Sequence, residues 1–461
     1  MRRVNACELR NLACPCCQPT AARDTVHVSS RMSQSLTPTM SPLYRKIALR
    51  LVPFLMLLYM VAFLDRVNIS FAALTMNRDL GISDSFYGVA AGIFFLGYCA
   101  CEVPANMMLA RIGARRWIAS LVFTWGLVTV ATAFVHARAD YLAMRCLLGI
   151  VEAGFFPGVI FYLTLWLPRP VRARLMAFFL LAIPVSSFIG SPISAHILLL
   201  DHAANFRGWQ WLFLIEGAPA VILGGVAWFV LADSPRVVSW LSTSEKDHLL
   251  QALDAGEADP PSAINNLGRS PAARPLALRV ALDSLVYFAA NSATYGLSFW
   301  LPKILVAQGV AATASGWWAA LPYGIGSIAM LFLSRLAGRW WLGGLYLCAA
   351  VGFATAGLAN NFTISVAGFC LASVGIFGAF PLFWSASTGH MSARVAGPAI
   401  ATVNSIGVLG GFIGPFAMGW LLQHTHSYAA GLCSLAACLV VGSVLASIPR
   451  HKPAPALTSA Q

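Results

Sequence analysis

The chain has 461 residues, of which 58% are hydrophobic and 10% charged, and its formal net charge is +13. Soluble domains carry about 25% charged residues, so a soluble core could not hide this much apolar surface and a lipid bilayer is the expected solvent. The basic residues are scattered between apolar runs instead of gathered on one face, which argues against nucleic acid as a partner.

The first 43 residues form a polar, Ser/Thr-rich leader without the apolar stretch of a secretory signal. Met32 and Met40 are alternative start sites, and we expect residues 1–43 to be disordered or to be a leader that is not translated. The CPCC motif at 14–17 could bind a metal, but the sequence has no second ligand cluster at zinc spacing. We therefore predict neither a metal site nor a cofactor.

Twelve apolar runs follow the leader, and each is long enough to cross a bilayer as a helix of about 20 residues. Six precede a long polar segment, at 48–73, 86–107, 117–135, 141–166, 174–199 and 211–232. Six follow it, at 279–301, 315–334, 340–358, 363–386, 397–422 and 428–448. The sequence thus predicts an all-α integral membrane protein with twelve transmembrane helices.

The basic residues between the runs predict how the chain is oriented. If the N-terminus is cytoplasmic, the inner segments hold nineteen Lys and Arg and the outer segments hold four, namely Arg78, Arg138, Arg207 and Lys303. Basic residues collect on the cytoplasmic side of membrane proteins. We therefore expect both termini to be cytoplasmic and the protein to be a multi-pass protein of the inner (plasma) membrane.

The polar segment divides the chain into two halves that resemble each other. We predict an N-terminal six-helix bundle at 44–232, a cytoplasmic central loop at 233–277, a C-terminal six-helix bundle at 278–449 and a cytoplasmic tail at 450–461. FFPG at 155–158 matches AFPL at 379–382, and SFIGSP at 187–192 resembles GFIGP at 411–415, both at an offset of 224. Parallel six-helix halves around a central site are an architecture of secondary transporters.

Away from the ends of the runs, two arginines stand inside them, Arg66 and Arg145. Arg145 and Glu152 are seven residues apart, so they share one face of the fourth span, and Asp65 precedes Arg66 in the first. A charge in the bilayer centre is costly and marks a functional site by default. The guanidinium group of arginine can donate two parallel hydrogen bonds to a carboxylate. A buried carboxyl group can take up and release protons. These four charges therefore predict an anion and proton site, with a purely structural pairing as the alternative.

Other polar groups are candidates for the same cavity or for its gate. Tyr287, Asn291 and Tyr295 are spaced i, i+4 and i+8, so they form one stripe of the seventh span, which packing alone could also explain. Glu102, near the inner end of the second span, is close in sequence to Arg111 and Arg115, and we interpret these three as gate or packing residues. Glu216 is interpreted as structural, and Asp283 is expected to reach the membrane interface.

Six motifs resemble the anion:cation symporter family of the major facilitator superfamily, which includes tartrate, galactonate, phthalate and hydroxyphenylacetate permeases. They are FLDRVNISFAAL (63–74), GYCACEVPANMMLARIGARRW (97–117), RCLLGIVEAGFFPG (145–158), GWQWLFLIEGAPA (208–220), YGLSFWLPKIL (295–305) and NSIGVLGGFIGP (404–415). The resemblance covers about residues 44–448. It implies the major facilitator fold.

The resemblance also implies roles for single residues. Asp65 and Glu152 would be the proton-coupling carboxylates, Arg66 and Arg145 would serve the substrate anion or modulate the acids, and Asn404 would contact the substrate from the second half. The family often has Tyr where this chain has Phe63, and Asn where it has Val408. Both changes make the pocket less polar and favour an aromatic or less hydroxylated acid.

We therefore expect a secondary active transporter that carries a small organic carboxylate together with protons by alternating access. Its expected partners are that anion, protons and the lipid bilayer, and we expect it to act as a monomer. Efflux or exchange of an aromatic acid or an amphipathic compound is the alternative. A membrane enzyme or receptor is a remote alternative, because the sequence has no phosphate-binding loop, metal-spaced histidines or nucleophile triad.

Overall fold

The computed structural model describes residues 41–256, 273–336, 338–388 and 393–448. These residues form α-helices joined by turns and three short 3-10 helices, and no strand occurs among them. The all-α prediction is therefore confirmed for this part of the chain. Most of the predicted leader, residues 257–272 of the predicted central loop and the whole predicted tail lie outside the described residues.

Nine helices form the first half of the chain and one lies in the central segment. They are α1 (Pro42–Val67), α2 (Ile69–Asp79), α3 (Asp84–Ile112), α4 (Ala114–Thr132), α5 (Arg138–Glu152), α6 (Phe155–Thr164), α7 (Arg169–Leu180), α8 (Ala182–Ile197), α9 (Gly208–Val230) and α10 (Thr243–Gly256). The 3-10 helices are Leu198–Leu200, Ala203–Asn205 and Pro235–Val237.

The helices of the second half are α11 (Ala273–Ala307), α12 (Ala312–Leu333), α13 (Arg339–Leu358), α14 (Phe362–Thr388), α15 (Ala393–Val408), α16 (Gly410–Thr425) and α17 (Tyr428–Ser447). Below, the N-terminal half denotes α1–α9 and the C-terminal half denotes α11–α17.

Ten segments of the described chain are long and apolar enough to cross a membrane. Several consist of two helices in line, such as α1 with α2 and α5 with α6. Helices α4 and α11, where the sequence predicts the third and seventh spans, are not among the ten. Arg115 and Arg116 stand in the first turn of α4, and α11 carries a stripe of polar side chains, so both helices are less apolar than the others. The count of twelve stays a prediction.

Contacts between turns define one end of the molecule, which we call the distal face. The indole Nε1 of Trp209 donates to Asp79 at 3.1 Å, and Lys303 forms an ion pair with Asp84 that joins the two halves. The distal face comprises residues 79–84, 133–137, 198–209, 303–311 and 423–428.

The opposite end, the proximal face, carries the start of α1 and the short helix α10. Lys46 forms an ion pair with Glu245 at 2.9 Å, and the Arg50 guanidinium lies 5.0 Å from the ring centre of Trp240. The hydrogen bonds from Lys46 hold the pKa of the exposed Glu245 carboxyl below its usual value. Helix α10 is therefore attached to the base of α1.

The two halves touch most closely toward the distal face, where α3 packs against α16 and α8 packs against α12. Gly88 on α3 permits this approach, because a Cβ atom there would stand 2.7 Å from the carbonyl oxygen of Pro415 on α16. Small residues allow helix backbones to approach closely in membranes. The structure is thus closed between the halves on its distal side.

The internal resemblance has a counterpart in the packing. Gly190 on α8 faces the end of the Leu64 side chain of α1, which would have to move to admit a side chain there, and Gly414 on α16 faces the Ser292 backbone of α11, which leaves no room for one. These two glycines, which are 224 residues apart, thus each allow a helix to pack closely against the first helix of its own half.

Asp283 is the acid that the sequence places near the membrane interface, which stays a prediction. It is buried, and its carboxylate accepts a hydrogen bond from Arg339 Nη2 at 3.2 Å, which joins α11 to α13. Arg339 also donates to the carbonyl of Ala446 on α17 at 3.4 Å. The guanidinium neutralises the acid and connects three helices of the C-terminal half near the proximal face.

Replacing Arg339 with Met should destabilise the protein, because it removes the cation that faces a buried carboxylate. Breaking a buried ion pair from one side costs about 3–5 kcal/mol. We expect a lower melting temperature of the purified protein in detergent, followed by tryptophan fluorescence. The double variant Arg339→Met/Asp283→Asn should recover most of the loss. An unchanged melting temperature in the single variant would contradict the pairing.

Candidate transport site

A narrow cavity of about 50 Å³ lies between the two halves. Ten of its eighteen lining residues are aromatic. The N-terminal half contributes Tyr59, Phe63, Arg66, Phe95, Tyr98, Glu152, Phe155, Phe156, Leu180 and Ile183. The C-terminal half contributes Tyr287, Asn291, Thr294, Tyr295, Phe380, Trp384, Asn404 and Val408.

Interruptions in the helices lie at the level of this cavity. Helix α1 gives way to α2 at Asn68, two residues after Arg66, and α5 ends at Glu152, three residues before α6 begins at Phe155. The backbone stays in the right-handed helical region at both positions, so each interruption is a local change of hydrogen bonding. Transporters commonly place their substrate sites at discontinuous helices.

Arg66 and Glu152 form an ion pair in the wall of the cavity. The Glu152 Oε2 atom accepts hydrogen bonds from Arg66 Nη2 at 2.6 Å and from Arg66 Nε at 3.3 Å. The side chain of Arg66 is 11% exposed and that of Glu152 is 1% exposed. Both charged groups are therefore almost fully shielded from water. Removal of either one would leave the other buried without a counter-charge.

Arg66 also connects the two halves. Its Nη1 atom donates to the hydroxyl of Tyr295 on α11 at 2.9 Å. The guanidinium carbon lies 4.7 Å from the ring centre of Phe94 and 5.7 Å from that of Tyr98, both on α3. Aromatic faces attract a cation, so these rings hold the guanidinium toward the cavity.

Arg145 does not line the cavity, although the sequence predicts it as a substrate ligand. Its side chain is buried behind Arg66, and its Nη2 atom donates to the backbone carbonyl of Arg66 at 3.2 Å. No ion pair of Arg145 occurs among the described residues. The α5 helix turns Glu152 toward the cavity and places Arg145 two turns closer to the distal face, where it supports the backbone of α1.

Asp65 does not line the cavity either. Successive residues of a helix point about 100° apart, so Arg66 faces the cavity while Asp65 faces the interior of the N-terminal half. Asp65 is 1% exposed, and neither carboxylate oxygen has a hydrogen-bond partner within the described part of the chain. The predicted four-charge centre is thus one ion pair in the cavity wall with two further charges behind it.

The predicted stripe of α11 does reach the cavity, because Tyr287, Asn291 and Tyr295 all line it. Tyr287 stacks on Phe383 with ring centres 5.0 Å apart, and Asn291 Nδ2 donates to the Tyr287 carbonyl at 3.1 Å. Phe63 and Val408, the two positions where the chain departs from the family pattern, also line the cavity.

Asn404 lines the cavity and also takes part in a contact between the halves. Its Nδ2 atom donates to Glu102 Oε1 at 2.7 Å, and Ser405 Oγ donates to Glu102 Oε2 at 3.0 Å. Glu102 belongs to α3 and both partners to α15, so this contact joins the halves on the proximal side of the cavity. The gate role of Glu102 stays a prediction.

Arg115 connects two helices of the same half. It donates to the carbonyl of Trp228 at 2.6 Å and lies 3.6 Å from the Asp233 carboxylate, so it ties α4 to the end of α9. Arg111 is exposed near the end of α3. Neither position links the two halves directly, in contrast to Glu102.

Most aromatic lining residues were missed at the sequence level. Tyr59, Tyr98, Phe95 and Phe156 stand in continuous apolar runs, where an aromatic residue that faces a cavity looks the same as one that faces lipid. Only residues with a charge or a regular polar spacing could be identified. Among the described residues, no group of His, Cys, Asp and Glu could hold a metal ion.

Three comparisons place these observations among known proteins. A sequence profile of the Major Facilitator Superfamily matches residues 55–415. The chain is 44% identical to a "Putative tartrate transporter" of Agrobacterium vitis, over 87% of this chain and 93% of that protein. It is 36% identical to a "Quinolone resistance transporter" of Acinetobacter baumannii, over 88% and 94%.

The fold has solved counterparts as well. The crystal structure of a bacterial homologue of the human lysosomal transporter Spinster, in an inward-facing and unoccupied conformation, matches with a TM-score of 0.68 at 18% identity. The match covers 88% of this chain and 96% of that chain. At this identity the likeness concerns the fold alone.

Replacing Glu102 with Gln should weaken the proximal contact, because one oxygen that now accepts from Asn404 or Ser405 becomes a donor. A hydrogen bond to a charged group contributes about 1.5–3 kcal/mol. Cys99 lies beside this contact, so with Cys99 as the one cysteine retained, a water-soluble maleimide should label it about tenfold faster.

The matched control for this labelling is Glu245→Gln, which alters an acid of the proximal face that does not lie between the halves. It should leave the labelling rate of Cys99 unchanged. Equal labelling in the Glu102 variant and the parent would show that Glu102 does not hold the halves together.

Proposed function

We propose that this chain, which belongs to the major facilitator superfamily, takes up a small organic carboxylate together with protons by alternating access. The family and the relatives are membrane transporters and not enzymes. The observation that carries the proposal is the Arg66–Glu152 ion pair in the wall of the central cavity. These two are the charged residues among the described residues that line the cavity.

The ion pair supports an exchange of partners. A substrate carboxylate that enters the cavity accepts the hydrogen bonds of the Arg66 fork, which Glu152 then loses. A buried carboxylate without a cation is strongly disfavoured, so Glu152 takes up a proton. Anion and proton thereby enter together, and neither charge is left uncompensated.

The lining supports an aromatic carboxylate as the substrate. Ten aromatic rings surround one guanidinium, and Phe63 and Val408 supply apolar surface where relatives of the anion:cation symporter type often have polar side chains. Aromatic rings stack on one another with a gain of about 0.5–1.5 kcal/mol beyond their buried area. A hydroxylated acid is the competing choice, because the Agrobacterium relative is named for tartrate.

The remaining predicted site residues have supporting roles in this proposal. Tyr295, Asn291 and Asn404 contact the substrate from the C-terminal half, where they line the cavity. Arg145 fixes the α1 backbone through the Arg66 carbonyl. Asp65 carries a proton behind the cavity wall, where it lies beside Glu152.

The surroundings of the site belong to the same proposal. Twelve transmembrane helices in two six-helix bundles, both termini in the cytoplasm and a monomer in the inner membrane fit the alternation of basic segments. In this orientation the proximal face is cytoplasmic and the distal face is periplasmic. The closed packing of the distal side then corresponds to a state that is closed toward the periplasm.

Efflux or exchange of an aromatic acid or an amphipathic compound is the second candidate. One relative is named for quinolone resistance, and the aromatic lining also suits a larger ring system. Transport direction follows the gradients across the membrane, so the same site can serve either direction. Resistance of cells that show no uptake would favour this candidate.

Replacing Glu152 with Gln should abolish accumulation driven by a pH gradient and preserve exchange of labelled against unlabelled substrate, because the amide cannot carry the proton. Asp65→Asn should have the same effect. The measurement is uptake of radiolabelled phthalate, with tartrate in parallel, into proteoliposomes with and without a pH gradient. Full gradient-driven uptake in both variants would show that these two carboxylates do not carry the proton. Glu245→Gln serves as the control.

Replacing Arg66 with Gln should weaken substrate binding about 10- to 150-fold, which corresponds to the 1.5–3 kcal/mol of a hydrogen bond to a charged group. Arg145→Gln should have a smaller effect, because it acts through a backbone carbonyl. A thermal-shift titration with both acids measures the affinity, and phthalate should bind more tightly than tartrate. Unchanged affinity in the Arg66 variant would refute the anion site.

A further inference from the structure

The central cavity provides no direct path for a proton to reach Asp65. The inference that follows rests on the proposed function. The Asp65 carboxyl is 1% exposed and absent from the cavity lining. A proton that it exchanges must therefore pass either through Glu152, which faces the cavity, or through another group inside the N-terminal half.

The other buried acid of this half is Glu216, on α9. Glu216 is 2% exposed, and its Oε1 atom accepts a hydrogen bond from Ser194 Oγ of α8 at 2.5 Å. Its Oε2 atom is buried without a hydrogen-bond partner in the described chain. Helix α9, which carries Glu216, packs against α1, which carries Asp65, and the charges of both Glu152 and Glu216 act on the Asp65 carboxyl.

Asn68 stands beside these acids at the junction of α1 and α2. It is 1% exposed, it lies next to the Glu216 carboxyl, and neither atom of its amide makes a hydrogen bond within the described residues. The Asp65 and Glu216 carboxyl groups and the Asn68 amide are thus buried with few hydrogen bonds of good geometry, although Trp125 lies within reach of Asp65 and Asn68 within reach of Glu216. Buried polar atoms of this kind are normally satisfied, by protein or by ordered water, and an exception calls for an explanation.

A second, smaller cavity leads from Asn68 toward the distal face. Its walls come from both halves, at α1, α2 and α8 on one side and α11 and α12 on the other. The polar side chains in its lining are Asn68, Ser70, Ser187, Ser191, Ser194, Ser298 and Tyr323. Ser194 thus touches Glu216 and also lines this cavity. The cavity has room for about one water molecule, which these hydroxyl groups can hold because they donate and accept hydrogen bonds.

The charges around Glu216 differ from those around an acid that only stabilises packing. Asp283, the buried acid of the C-terminal half, is neutralised by Arg339. Glu216 has no ion pair within the described chain, and its neighbours are Ser194, Asn68 and Asp65. A glutamine could make the same contact with Ser194 without bringing an ionisable group into the interior.

We propose that Glu216 is a proton-relay residue that connects the serine-lined cavity to Asp65. A hydronium ion in the cavity gives its proton to the Glu216 carboxylate, which forms one O–H bond and leaves a water molecule. That O–H bond then breaks as the proton passes to Asp65, directly or over one water, and Glu216 becomes a carboxylate again. Asp65 delivers the proton to Glu152 when the substrate takes Arg66.

The test is to compare proton-driven uptake with substrate exchange in the Glu216→Gln variant. Uptake of phthalate driven by a pH gradient should slow by about 100-fold, the lower end of what a positioned proton-transfer group contributes. Exchange of labelled for unlabelled phthalate should continue at the parent rate, because it needs no net proton movement. A pH dye inside the proteoliposomes should report the same loss of proton influx.

The Ser194→Ala variant keeps the carboxyl and removes its hydroxyl neighbour, so it should slow proton-driven uptake less than Glu216→Gln and leave exchange intact. It also tests the route if the Glu216 variant folds poorly. Thr129→Val is the matched control, since Thr129 is a buried polar residue that packs against α9 beside Gly217. It should leave both rates unchanged.

Two outcomes in the Glu216→Gln variant would overturn the relay. Parent-like proton-driven uptake in Glu216→Gln would mean that protons do not pass Glu216. An equal loss of uptake and exchange in a well-folded variant would make Glu216 a structural residue. If the parent protein exchanges phthalate but its uptake ignores the pH gradient, the proposed proton coupling fails, and the relay fails with it.

Discussion

The ion pair of Arg66 and Glu152 is the interaction on which the architecture of the site depends. Each charge would cost roughly 2.5–3.5 kcal/mol in the centre of a bilayer on insertion scales, and both side chains are nearly fully buried. The protein offsets this cost with three kinds of contact to the Arg66 guanidinium. They are the short hydrogen bonds to Glu152, the hydrogen bond to the Tyr295 hydroxyl and the contact with the face of the Phe94 ring. A carboxylate ligand can replace the glutamate on the same fork.

Because Arg66 also donates to Tyr295, the pair is connected to the other half of the molecule. The two halves approach closely on the distal side. On the proximal side they are joined by the hydrogen bond from Asn404 to Glu102. The proposed alternating access requires these contacts to break in turn. Any ligand that changes the partners of Arg66 or Asn404 therefore also changes how strongly the halves hold each other.

The sequence predicted the charged and regularly spaced parts of this site and little else. Tyr287, Asn291 and Tyr295 could be grouped because their spacing places them on one helix face whatever the neighbours are. Asp65 and Arg145 could not be separated from Arg66 and Glu152, since the rotation of α1 and α5 about their axes depends on packing with other helices. The aromatic lining carries no local signal, and the isolation of Glu216 becomes visible only when its neighbours are known.

The most direct test of this account is calorimetry of phthalate binding to the purified protein in buffers with different ionisation enthalpies. If the substrate takes Arg66 and Glu152 takes up a proton, the binding enthalpy should change with the buffer in proportion to about one proton per substrate. The Glu152→Gln variant should bind with an enthalpy that does not depend on the buffer. Binding to the parent protein without proton uptake would contradict the exchange of partners at Arg66.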